Sequence, residues 1–135
     1  MKKYAVFLFL IFSFLTFNCA KDTAEKHFKK GFKYQLVENY DSAIIEYQKA
    51  VKLDSTYIQA YLDLGVVYTK KSMYDQAIDA YKKVIIYFPL HTKAYYNLGY
   101  VYLLKGDKQK AMEQYDQLKS LDPQLAARLK EAIDK

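Results

Sequence analysis

Apolar and polar positions in this chain follow two superposed periods. The short one is helical: Tyr61, Leu64, Gly65 and Tyr68 fall at i, i+3, i+4 and i+7, one face of a helix. After a short break, Ala77, Tyr81 and Val84 mark a second helical face at i, i+4 and i+7. The long period is 34 residues. It relates Gly31, Gly65 and Gly99, then Tyr34, Tyr68 and Tyr102, then Ala43, Ala77 and Ala111, then Tyr47, Tyr81 and Tyr115. It also relates Pro89 to Pro123, the only prolines present. A fixed period of this length means stacked copies of one supersecondary unit.

Turn chemistry separates the two helices of each copy. Asn39, Ser72 and Gly106-Asp107 stand at the breaks, and Ser72 with Asp75 has the spacing of a capping box. Tyr87-Phe88-Pro89 closes a copy, because proline restricts its predecessor and lacks the N–H that would continue a ladder. Small Gly and Ala at fixed places let two helices approach closely. Each copy is therefore expected to be a helical hairpin whose apolar stripe is buried only by stacking.

These residues resemble the tetratricopeptide repeat family. The second copy supplies Tyr61, Leu64, Gly65, Tyr68, Ala77, Tyr81, Val84 and Pro89; the third supplies Tyr95, Leu98, Gly99, Tyr102, Ala111, Tyr115, Leu118 and Pro123. The first keeps Gly31, Tyr34, Ala43, Tyr47 and Ala50, but has His27 and Lys30 for the aromatic and leucine, and Ser55 for the proline. The resemblance implies an all-α fold, an α-solenoid of three helical hairpins at 24–57, 58–91 and 92–125, with a C-terminal capping helix over 126–135. That last helix reads as starting near Gln124, with Leu125, Leu129, Ala132 and Ile133 on one side.

The first copy's departures carry information. Ala60, Leu64, Val67 and Ala94, Leu98, Val101 form the face that should pack on the preceding repeat; the first copy has Lys26, Lys30 and Lys33 there. Three ammonium groups on one stripe cannot be buried together, so this helix is expected to be the solvated start of the array.

Residues 1–18 are of another kind. Lys2 and Lys3 precede an apolar stretch from Tyr4 to Phe17, too short for the roughly 20 residues a membrane helix needs. A basic start and a short apolar core are the pattern of a secretory signal peptide. The only cysteine, Cys19, follows directly, so no internal disulfide can form. Its place resembles the lipobox of bacterial lipoproteins, although Phe17 and Asn18 replace the usual small residues and Leu15 lies one place further out. The resemblance implies cleavage before Cys19, acylation of its thiol, and residues 19–23 as a lipidated cysteine with a short linker. An uncleaved signal anchor and a free structural cysteine are the other readings. Ala20 rather than Asp follows the cysteine, so a known inner-membrane retention signal is absent. The expected location is the bacterial envelope, at the outer membrane more than the inner.

Formal net charge is +6, and its excess gathers near this junction in Lys21, Lys26, Lys29, Lys30 and Lys33. With so short a linker, Lys26, Lys29, Lys30 and Lys33 are candidates for contact with anionic head groups, although a solvated solenoid end is by itself sufficient to explain them. Beyond the first helix no basic grouping would track a phosphate backbone, which argues against nucleic acid. Catalysis has less support. His27 and His91, the only histidines, stand on different repeats, with no carboxylate cluster or second thiol beside either in sequence. No phosphate-cradling glycine loop is present, and no metal or cofactor is expected.

Function should then lie in the groove that the family forms from its first helices. The positions carried over are Phe28, Phe32 and Gln35; Gln59, Leu62, Asp63, Val66 and Thr69; and Lys93, Tyr96, Asn97, Tyr100 and Leu103. The family's carboxylate clamp for chaperone tails would use places held here by Phe28, Phe32, Asp63, Lys93 and Asn97, of which only Lys93 fits. Of the tyrosines outside the N-terminal signal stretch, 57, 87, 96 and 100 are left over by the repeat, and the last two are groove positions. The surface suits apolar or aromatic side chains of a peptide or helix. Mutual cover among these aromatics, or packing against the N-terminal linker, is the simpler reading of the same residues. The resemblance implies a non-catalytic adaptor or assembly scaffold with a protein partner. A self-associating, homo-oligomeric envelope protein is the alternative.

Overall fold

The computed structural model describes residues 23–135, and those residues divide into two compact units, one holding 23–57 and the other Ile58–Lys135. All regular structure among them is helical. The first unit is one hairpin, α1 (residues 23–36) and α2 (Tyr40–Leu53). The second contains α3 (Ile58–Lys70), α4 (Tyr74–Tyr87), α5 (Thr92–Leu104), α6 (Lys108–Leu121) and α7 (Pro123–Asp134). Residues 1–22, which carry the expected signal segment and Cys19, lie outside the described residues. None of the described helices is long and apolar enough to cross a membrane.

In the second unit α4 packs against both α3 and α5, α5 pairs with α6, and α7 lies on α5 and α6. The core consists of the residues singled out by the long period: Leu64, Val67 and Tyr68 on α3, Ala77, Tyr81 and Val84 on α4, Leu98, Val101 and Tyr102 on α5, and Ala111 and Leu118 on α6. Close approach is literal at two of the spaced glycines. A Cβ on Gly31 would lie 2.7 Å from the Tyr47 ring, and one on Gly65 would lie 2.4 Å from the Tyr81 ring. Gly99 differs, because its nearest neighbour is Leu129 of α7, at 2.6 Å. The closing helix thus occupies the space that an aromatic takes in the other two copies. Its buried stripe is Ala126, Leu129 and Ile133, with the sequence-expected Leu125 and Ala132 half-buried beside it. Asp122 caps α7 by accepting from the Leu125 N–H at 3.0 Å, and Pro123 occupies the first turn, where no partner for its missing N–H is needed.

The hairpin turns share one backbone solution. Glu38, Ser72 and Gly106, one period apart, all have positive φ, of 57°, 59° and 84°. Asn39 and Asp107, immediately after, cap α2 and α6 through bonds from Ser42 N and Lys110 N. The corresponding residue before α4 is Met73, which makes no side-chain cap bond. The capping-box reading of Ser72 is therefore corrected: Ser72 occupies the left-handed position, one residue too early to cap. Only Gly106 suits its conformation, since a Cβ there is strained by roughly 1–2 kcal/mol. Replacing Ser72 with Gly and Met73 with Asp should each raise stability by about 1 kcal/mol, read as a higher urea midpoint with an unchanged slope.

Candidate functional site

In the second unit, the exposed sides of α3 and α5 bound a shallow depression of about 160 Å³. Val66, Thr69 and Lys70 line it from α3, and Asn97, Tyr100 and Val101 from α5, with Tyr81 of α4 forming the floor. Helical spacing puts Val66 and Thr69 one above the other, and Asn97 and Tyr100 likewise. Tyr100 is 43% exposed, an aromatic side chain of which nearly half faces solvent. The Tyr81 phenol beneath is buried, which pushes its pKa up to about 12 against the opposing hydrogen bonds with Thr69 and Asn97. The Thr69 hydroxyl also donates to the Gly65 carbonyl at 2.7 Å. The depression therefore has a fixed polar floor and an apolar rim.

The other predicted groove residues lie outside its lining. Asp63 is half-buried, and burial raises its carboxyl above the usual range, partly offset by a hydrogen bond from Gln59 at 3.4 Å. Tyr96 is half-buried beneath Arg128 of α7, whose guanidinium carbon sits 5.3 Å from the ring centre. Leu62 and Leu103 are half-buried, while Gln59 and Lys93 are exposed. In the first unit Phe32 is exposed and Gln35 accepts a bond from the Tyr47 hydroxyl at 2.6 Å. Phe28 packs against Tyr47 and Tyr57, with ring centres 5.6 and 5.2 Å away, so part of its surface covers other aromatics.

One cluster escaped sequence reasoning. Glu46 of α2 is only 4% exposed, yet it is ionisable. His27 Nδ1 lies 2.6 Å from its Oε2, and the Lys30 and Lys49 ammonium groups donate to Oε1 at 3.2 and 3.0 Å. Burial pushes the Glu46 pKa up, but the bonds from His27, Lys49 and Lys30 outweigh it and bring the value from 4.5 to about 2. His27 thus has a carboxylate partner that its sequence neighbours did not reveal. Lys26 and Lys33 are exposed, as expected of the solvated stripe, whereas Lys30 turns toward Glu46. Lys29 pairs with Glu25 one turn earlier, at 2.8 Å. No group of three or more His, Cys, Asp or Glu that could hold a metal occurs among the described residues.

The depressed Glu46 value sets a pH window. A carboxylate with a folded pKa below its unfolded one stabilises the fold above about 4.5, and that contribution is lost as pH falls toward about 2. The protein should lose stability across this range. Because Lys30 and Lys49 are half exposed, the Glu46→Gln variant should lose less by only about 1–2 kcal/mol, measured by urea unfolding at neutral and acid pH.

Family models for the tetratricopeptide repeat match residues 62–126 and 38–72. The chain belongs to the tetratricopeptide repeat family. No curated protein sequence matches it. Among solved structures, the tetratricopeptide domain of Arabidopsis OM64 is similar at 18% identity and a TM-score of 0.79, covering 85% of this chain and 97% of that one. The first tetratricopeptide domain of Spaghetti (RPAP3), bound to the HSP90 peptide SRMEEVD, is similar at 21% identity and a TM-score of 0.76, covering 85% and 96%. PcrH, solved with the chaperone-binding region of PopD, is similar at 22% identity and a TM-score of 0.74, covering 84% and 90%. At these identities the likeness establishes the tetratricopeptide fold, and two of the three structures hold a segment of another protein.

Proposed function

We propose that this tetratricopeptide protein is a non-catalytic adaptor or assembly scaffold, anchored by a lipid on Cys19 at a bacterial envelope, with its repeats receiving an apolar or aromatic segment of a partner. The observation that carries the binding half is the depression between α3 and α5. It offers Val66 and the half-exposed Tyr100 as anchors over a polar floor that Tyr81, Thr69 and Asn97 hold in place. Buried polar atoms in such a floor reward a matching partner atom, while the exposed ring supplies contact area at low entropy cost. Similar folds in complex with peptides support the reading. Asp63 on the adjoining face disfavours a partner's terminal carboxylate and favours one whose apolar side chains are accompanied by a cation.

The anchor half rests on the basic, apolar N-terminal stretch and on the single cysteine that follows it. Mass analysis of the purified protein's N-terminal peptide tests it. The expected result is a diacylated Cys19 at the new N-terminus, with the Cys19→Ala variant unacylated and still carrying its leader. An unmodified thiol in a membrane-free protein would refute the anchor and leave the adaptor reading standing.

A further inference from the structure

The internal repeat predicts what each turn between hairpins requires, and the turn after α4 departs from it. At three alternate positions the equivalent residues are Lys52, Ile86 and Ser120; Asp54, Phe88 and Asp122; and Thr56, Leu90 and Gln124. Two copies are polar at all three places, and the middle copy is apolar at all three. The fold does not need this change. Asp122 caps the helix that follows it, and Asp54 accepts bonds from the backbone N–H and hydroxyl of Thr56. In the middle copy the capping role has passed to His91, whose Nδ1 accepts from Ala94 N at 3.2 Å.

The result is a protruding apolar tip. Residues 86–90 are exposed without a break, with Ile86 at 67%, Phe88 at 49% and Leu90 at 65%. A consecutive exposed apolar run of this kind is unfavourable in water unless it has a use. The tip is also braced. The Phe88 ring meets His91 edge-on at 5.8 Å, and the Tyr95 hydroxyl donates to the Pro89 carbonyl at 3.0 Å.

Charge around the tip selects its occupant. Lys82 and Lys83 stand four and three residues before Ile86 on α4, and Lys93 opens α5; all three are exposed. No acidic residue occurs between Asp79 and Asp107. Aliphatic and aromatic side chains bordered by lysines fit the boundary of an anionic bilayer, where apolar groups enter the acyl layer and ammonium groups meet phosphates. A second copy fits less well, because a two-fold contact between tips would set lysine rims of like charge together. We propose that the 86–90 tip, with Lys82, Lys83 and Lys93, is a second membrane contact that seats the repeat domain on an anionic lipid surface. The proposal rests on the membrane attachment inferred above, and the two can fail separately.

The chain contains no tryptophan, so Phe88→Trp introduces a single reporter. The full chain would be reconstituted into phosphatidylcholine vesicles with roughly one-third phosphatidylglycerol, and with brominated acyl chains as quencher. Flotation reports attachment, and quenching reports the tip. The expected result is blue-shifted indole emission from the Phe88→Trp chain, with about half its intensity lost to bromine. Tryptophan in place of the exposed Gln109, at the opposite end of the helices, should be unaffected. Adding Lys82→Glu and Lys83→Glu to Phe88→Trp should abolish the quenching while the chain still floats. A Phe88→Trp chain that floats with its emission unquenched overturns the tip and leaves the anchor. A chain that does not float overturns both. A blue shift that follows protein concentration and ignores bromine assigns the tip to a second copy instead.

Discussion

Alanine at Gly65 should destabilise the protein by about 1–3 kcal/mol, because a methyl there would meet closer neighbours than at any other of the four glycines. The new Cβ would sit 2.4 to 2.8 Å from three atoms of the Tyr81 ring. That ring has little room to yield, because it is 2% exposed and its hydroxyl bonds with Thr69 and Asn97. The gain of about 1 kcal/mol in helix propensity offsets only part of the clash. Gly99→Ala should be milder, since only one atom, a terminal methyl of Leu129, would lie within 3.0 Å of the new Cβ, with Gln114 Cβ at 3.2 Å. Gly106→Ala meets nothing within 4 Å, so its loss of about 1 kcal/mol would come from the backbone angle alone. Urea unfolding of the three variants checks the order. A Gly65→Ala protein as stable as the parent would show that the first and second helices of that hairpin are not held at this separation.

The second large effect concerns binding. Val66→Ser with Tyr100→Ser should weaken partner capture by roughly 10- to 100-fold, since each removes apolar contact from the same depression. Both side chains are partly exposed, so helicity and the unfolding midpoint should change little. The paired comparison is Tyr81→Phe, which removes the floor hydroxyl and leaves the anchors in place. It should cost less in affinity than the double variant, and more in stability. Equal capture by the double variant and the parent would remove the depression from consideration.

Much of this was legible in the residues. Gly65, Tyr81 and Val84 could be assigned to facing helices from spacing alone, and the packing of the second unit follows that assignment. Turn conformation was less legible, because side-chain chemistry there conflicts with backbone demand. Ser72 looks like a cap, but the turn geometry shared with Gly106 puts it in the left-handed region and leaves Met73 at the capping place. Tertiary partners were hardest. Spacing shows which face of α2 is buried, but not that Lys30 and His27 reach across the hairpin to Glu46. One signal could have revealed it. Lys30 replaces Leu64 and Leu98, and Glu46 replaces Ala80 and Gln114, so two positions that are uncharged in the other copies carry opposite charges here and meet. The same subtraction isolates Phe88 and Leu90, which hydropathy alone would have assigned to the core.

The central claim, that the face between α3 and α5 receives a partner, is tested most directly by placing a photo-crosslinking phenylalanine derivative at Tyr100 in the native membrane. The control carries it at the exposed Gln117 of α6. A discrete adduct from position 100, absent from 117 and lost when Val66 is changed to Ser, is the expected result. Adducts of equal yield from both positions, or none from position 100, would contradict it.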